Sequence, residues 1–177
     1  VAASCVSLTD NGRLPWKPGS SSRDSEGVPT KRTELIKKGT AEAFLYNLQY
    51  AAKDNVPSTG NCARSLSSLP DIGTTNLVLE AGTEKPAALI SQIKNGMYVT
   101  EFMGLHTIDP ISGDFSIGAK GFRIENGEIT TPASGMTIAS NLLVFLKNIA
   151  AVGSDLKFSG SVAAPSLVVE NVVIAGE

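Results

Sequence analysis

Apolar positions fall into short runs along the chain, and most of the gaps between them carry turn chemistry. Residues 1–8 read as a strand closed by the turn Asp10-Asn11-Gly12, and 11–29 as a loop rich in Gly, Pro and Ser. Trp16 in that loop is expected to plug a core, the commoner use of a lone aromatic. Residues 30–37 predict an exposed strand, Lys38-Gly39 a turn, and 41–45 the returning strand of a hairpin. A short helix is predicted over 46–53, followed by a second irregular stretch, 55–76, that only tertiary contacts could order.

From Leu77 the pattern sharpens. Residues 77–80 predict a strand, and Thr83 caps a predicted helix with Glu84 and Pro86 in its first turn. Leu89, Ile90 and Ile93 form its apolar stripe, and Asn95-Gly96 is expected to end it. Residues 97–103 predict a strand. Segments 115–125 and 128–131 flank Asn126-Gly127, the strongest short-range hairpin signal, which would set Ile124 opposite Ile129. Thr137 or Ser140 opens a further predicted helix that Gly153 closes, with Leu142, Phe145, Leu146 and Ile149 at helical spacing. Leu143 and Val144 widen that stripe, so the helix is expected to be wedged between layers. Strands over 156–159 and 167–174, broken near Pro165, complete the chain. Eight or nine short strands, two or three helices and no βαβαβ alternation predict an α+β fold, predominantly antiparallel β with helices packed on the sheets.

Composition narrows the class. The chain has 177 residues, 42% hydrophobic and 18% charged, which suits a single folded domain over 1–177 and argues against disorder. Fifteen basic and seventeen acidic side chains leave a net charge of −2, against direct nucleic-acid binding. The balance is uneven, with nine basic to six acidic residues in 1–64 and six to eleven in 65–177. Cys5 and Cys62 form no C-x-x-C pair, so reduced, buried or half-buried thiols in a cytoplasmic protein are expected. The uncharged run 129–146 contains Pro132, Ser134, Gly135 and Asn141, and is not expected to span a membrane.

Catalytic constellations are scarce. A catalytic zinc takes about three His, Cys or carboxylate ligands, and His106 is the one histidine. A set built from His106, Cys62 and a carboxylate has no spacing in its favour. Ser116 lacks the glycine that a nucleophile elbow needs where Asp114 stands. Gly113 and Gly118 have P-loop separation, yet Ala119 stands where the phosphate-binding lysine belongs. A glycine-punctuated, bulged strand is the simpler reading of 113–121. His106 reads as a loop histidine or as a polar group lining a peptide groove, with Glu101, Asp109 and Asp114 near enough in sequence to orient it.

Taken whole, 101–177 resembles the C-terminal region of the TldD/PmbA family, the modulators of DNA gyrase. Upstream, DSEGVPTKRTELIKKGT and PSTGNCAR resemble the same family's D-x-E-G-V-P-T-x-R and S-T-G-N segments, in order. The resemblance implies one half of a cytoplasmic protease pair. Its TldD-type subunit carries an H-E-x-x-x-H zinc helix and a cysteine ligand, and its TldE/PmbA-type subunit lacks them. This chain resembles the second type, since 158–164, near where the catalytic type would offer its cysteine, contains none. It implies no cofactor here, zinc in a TldD-type partner, heterodimer formation or self-association, and an unfolded peptide substrate. The chain alone should neither bind catalytic zinc nor cut peptides. It would be the C-terminal domain of a longer chain whose N-terminal half is absent. The expected peptide-groove or subunit-contact residues are Glu101, Gly104, His106, Asp109, Gly113, Asp114, Ser116 and Gly118, on the strand 113–121 and the loop 104–110. A regulatory protein–protein module acting on gyrase, without peptidase role, is the alternative.

Overall fold

The computed structural model describes residues 1–176, with strands β1 (Leu8–Asn11), β2 (Arg32–Lys37) and β3 (Thr40–Ala41), then helix α1 (Leu48–Asp54). Next come β4 (Cys62–Ala63), β5 (Asp71–Ile72), β6 (Leu77–Leu79), helix α2 (Pro86–Ser91) and β7 (Asn95–Met103). A 3-10 turn (Leu105–Thr107) precedes β8 (Asp114–Glu125), β9 (Glu128–Asn141), helix α3 (Leu142–Lys147) and β10 (Ile149–Val152). Strands β11 (Lys157–Ser159), β12 (Val162–Ala164), β13 (Leu167–Val169) and β14 (Val173–Ala175) follow. The fold is α+β and mostly antiparallel; β12 and β6 form a parallel pair.

The chain divides into two compact units. One, built from Val6–Ala81 and Leu156–Pro165, holds a six-stranded sheet in the order β11-β12-β6-β1-β2-β3 and the small β4–β5 ribbon. Its centre is a polar knot. Asp10 on β1 is wholly buried and accepts hydrogen bonds from the Thr75 amide (2.7 Å), the Thr75 hydroxyl (2.8 Å) and Asn61 Nδ2 (2.6 Å). Backbone pairing with β2 and β6 makes 8–11 a strand and not the predicted turn, and the Asp10 bonds to Asn61 and Thr75 help order the irregular stretch 55–76.

The other unit comprises Val1–Cys5, Gly82–Asp155 and the chain from Ser166 on. It holds a four-stranded sheet in the order β14-β9-β8-β7 and the β10–β13 ribbon. Asn126 (φ 51°) and Gly127 (φ 84°) make the left-handed turn between β8 and β9, and Ile124 stands opposite Ile129 as expected. The core comprises Ile117, Ala119, Met136 and Ile138, with Met97, Val99, Ile108 and Phe115 against it. Each large side chain buried there contributes roughly 1.5–3 kcal/mol. Bulges interrupt the β8–β9 ladder between Ala119 and Gly121 and between Phe122 and Ile124, as the spaced glycines predict.

Several local expectations are corrected. Strand pairing over Thr40–Ala41 is shorter than the predicted 41–45. Helix α2 begins after Lys85, with Pro86 at its start, because Glu84 is bridged to Gly153 instead of lying in the first turn. It ends at Gln92; Asn95 and Gly96 belong to β7 and pair with Glu125 and Ile124. Helix α3 is far shorter than predicted: residues 137–141 pair with β8 and Ile149–Val152 with β13. It buries no residue, and Leu142, Leu143 and Val144 are exposed, so it is not wedged between layers. Trp16 is fully exposed at φ 59°, not a core plug; its loop is held by Asn76 Oδ1 accepting the Gly19 amide at 3.0 Å.

Candidate functional site

The sequence-predicted residues lie on or beside the turn region joining β7 to β8. Glu101 lies on β7, where it forms an exposed 3.5 Å ion pair with Lys120. Gly104, at φ 80°, starts the 3-10 turn that carries His106. The Thr107 hydroxyl donates to the Gly104 carbonyl (2.8 Å) and lies 3.4 Å from the Ser116 carbonyl. Asp109 closes the following loop: its amide donates to the Asp114 carbonyl and its carbonyl accepts from Gly113. Its carboxylate accepts from the Ile111 amide at 2.8 Å and the Ser112 amide at 3.4 Å. These backbone bonds hold the Asp109 carboxyl below its ordinary pKa.

Asn141, which sequence reasoning did not single out, fastens this loop. Its Nδ2 donates to the Ser112 carbonyl and to Asp114 Oδ1, both at 2.8 Å, while its Oδ1 accepts the Leu143 amide and caps α3. Its one local signal is cap chemistry before an apolar run. Gly118 stands opposite Met103, and a Cβ there would come within 3.2 Å of the Met103 methyl. His106 is exposed and has no hydrogen-bond partner among the described residues, so Glu101, Asp109 and Asp114 do not orient it. β8 continues through Gly118 to Glu125 and no helix opens there, which removes the P-loop reading.

Strand order changes what this region can do. β8 is paired on both sides, by β7 and β9, so its backbone cannot accept another strand. β7 is the sheet edge: nine residues with pairing on one side, among them exposed Tyr98, Phe102 and Met103. An edge of that length is a template for an extended chain.

A second feature, missed by sequence reasoning, lies in the other unit. The segments DSEGVPT and STGNCAR meet around an open cleft of about 390 Å³. Asp24 Oδ1 accepts the Glu26 and Val28 amides, and its Oδ2 accepts the Cys62 amide, all at 2.9 Å. Gly60 permits the approach: it sits at φ 74°, and a Cβ there would fall 2.5 Å from the Pro29 carbonyl oxygen. Burial, then the charges of Glu26 and Asp24, push the Cys62 thiol up, so it is not an activated nucleophile. Cys5, by contrast, is exposed, and its Sγ donates to the Ile149 carbonyl at 3.4 Å.

Among the described residues no group of three His, Cys, Asp or Glu could hold a metal ion, so the residues present do not fit a zinc site. Among the described residues no helix is long and apolar enough to cross a membrane.

Comparison with known proteins gives these arrangements a family. The Metalloprotease PmbA of Escherichia coli O157:H7 is 34% identical over 87% of this chain, and the PmbA homolog of Haemophilus influenzae 31% identical over 96%. The chain spans 32% and 36% of those two proteins, about a third of their length. A Thermotoga maritima crystal structure, named as a candidate modulator of a DNA gyrase, superposes with TM-score 0.91 at 36% identity. It matches 98% of this chain and 40% of its own. TldE from Thermococcus kodakarensis superposes with TM-score 0.85 at 29% identity, over 99% of this chain and 40% of its own. The profile of the PmbA/TldA metallopeptidase C-terminal domain matches residues 1–176, and the chain belongs to that family.

Proposed function

We propose that this chain is the C-terminal domain of a PmbA/TldE-type subunit that works in a cytoplasmic protease pair without supplying its zinc. The metal would sit in a TldD-type partner, where it would activate water for peptide hydrolysis. This chain's own residues position substrate and partner. The observation that carries the reading is the unpaired β7 edge next to the Gly104–Asp114 loop. An extended, unfolded peptide can add to that edge through its backbone, whatever its sequence. Glu101, Gly104, His106, Asp109, Gly113, Asp114, Ser116 and Gly118 are then the groove or subunit-contact residues. Asp109 and Asn141 hold the loop, and Gly118 leaves room for Met103.

The test is co-purification with a TldD-type protein, followed by degradation of an unfolded peptide by the pair. Gly118→Val and His106→Ala are compared with the parent. Weakened pairing or slower degradation supports the assignment; unchanged pairing and degradation in both variants overturns it.

A further inference from the structure

The cleft between DSEGVPT and STGNCAR has no role in the reading above, and the commitments of its polar groups point to a ligand. Asp24, on its wall, has both carboxylate oxygens occupied by backbone amides. Asp10, which anchors the lining residues Asn61 and Thr75, has both of its oxygens engaged by them. The uncommitted side-chain groups are a guanidinium, which only donates, and two hydroxyls, which can donate. The Arg64 guanidinium, whose charge acts on Cys62, makes no hydrogen bond or ion pair among the described residues, and the hydroxyls of Ser25 and Thr74 make no hydrogen bond there. Arg23 commits one Nη1 to the Gly27 carbonyl at 2.6 Å and lines the same cleft.

The donor-only guanidinium is completed by an acceptor, to which the hydroxyls can also donate, and its fork matches a carboxylate in plane and spacing. Charge selects among acceptors. Arg23 and Arg64 favour an anion, while Asp24 on the wall, Asp10 behind it and Glu26, whose charge acts on the cleft's Cys62, oppose a second negative charge. A monoanion fits better than phosphate. We propose that the cleft binds a carboxylate, that of a peptide's C-terminal end, held by Arg64 with the Ser25 and Thr74 hydroxyls. The bearer of the carboxylate rests on the peptide reading given above; the acceptor chemistry does not.

Titration calorimetry of the full chain with acetyl-tetraalanine, as the free acid and as the C-terminal amide, tests it. The acid should bind about tenfold more tightly, the worth of one charge-assisted hydrogen bond. That preference should vanish in Arg64→Gln, whose exposed position leaves the fold intact. Equal affinity for acid and amide overturns the proposal while leaving peptide binding in place. A preference retained in Arg64→Gln, or displacement of the acid by equimolar inorganic phosphate, overturns it too. No binding of either peptide counts against this site and the peptide reading together.

Discussion

Asp24 Oδ2 accepts a hydrogen bond from the Cys62 amide at 2.9 Å, joining two loops that lie 38 positions apart. The same carboxylate turns its own loop through the Glu26 and Val28 amides, so one side chain fixes both walls of the cleft. Asp24→Ala should therefore cost about 1–3 kcal/mol, the penalty for leaving such amides unpartnered. Chemical denaturation measures the loss, and hydrogen exchange should accelerate at the Cys62 amide first. A variant as stable as the parent would show that water replaces the carboxylate without penalty.

Asp109 sets a pH dependence. Its folded pKa is lowered by the Ile111 amide and then the Ser112 amide. Because the folded value lies below the unfolded one, about 3.9, the contribution is complete above the unfolded value. It is lost as pH falls through the lower folded value. Amide chemical shifts of Ile111 and Ser112 should titrate with a midpoint below that of an unstructured aspartate. A midpoint at or above it would remove the carboxylate from its place in the loop.

The two thiols should separate by reactivity. Cys5 is exposed, whereas Cys62 is buried with its pKa raised by desolvation and by Glu26 and Asp24. Iodoacetamide at neutral pH should label Cys5 in the folded protein and reach Cys62 only on unfolding. Mass spectrometry of the tryptic peptides reads the order, and faster labelling of Cys62 would contradict the burial of its loop.

Across the hairpin the two isoleucines are unequal partners. Ile124 is 1% exposed and Ile129 45% exposed, although they face each other. Ile124→Ala should destabilise by about 2–5 kcal/mol, and Ile129→Ala by well under half as much. Thermal unfolding of both variants provides the comparison.

How far the sequence carries depends on where each instruction lies. The β8–β9 hairpin was legible because Asn126-Gly127 needs no partner to state its turn. Helix α3 was over-read because residues 137–141 have helical company in sequence but strand partners on β8 in space. Asp10 looks like turn chemistry in sequence, but pairing with Thr33 on β2 and Leu77 on β6 makes it part of a strand, and its bonds to Asn61 and Thr75 satisfy its buried carboxylate. In the candidate site the loop 104–114 was legible as a cluster, since its residues are neighbours in the chain. Its fastening by Asn141, and the edge position of β7, follow from pairings dozens of residues long. The cleft was hidden for the same reason, with its walls visible as two separate motifs and their meeting invisible.

The central claim is that this chain supports proteolysis without carrying the metal. Zinc content and peptidase activity, measured on the protein bearing this chain alone, on a TldD-type partner alone and on their mixture, test it most directly. The account predicts no stoichiometric zinc in the first and peptide cleavage only in the mixture. Stoichiometric zinc with cleavage by the first protein alone would contradict it.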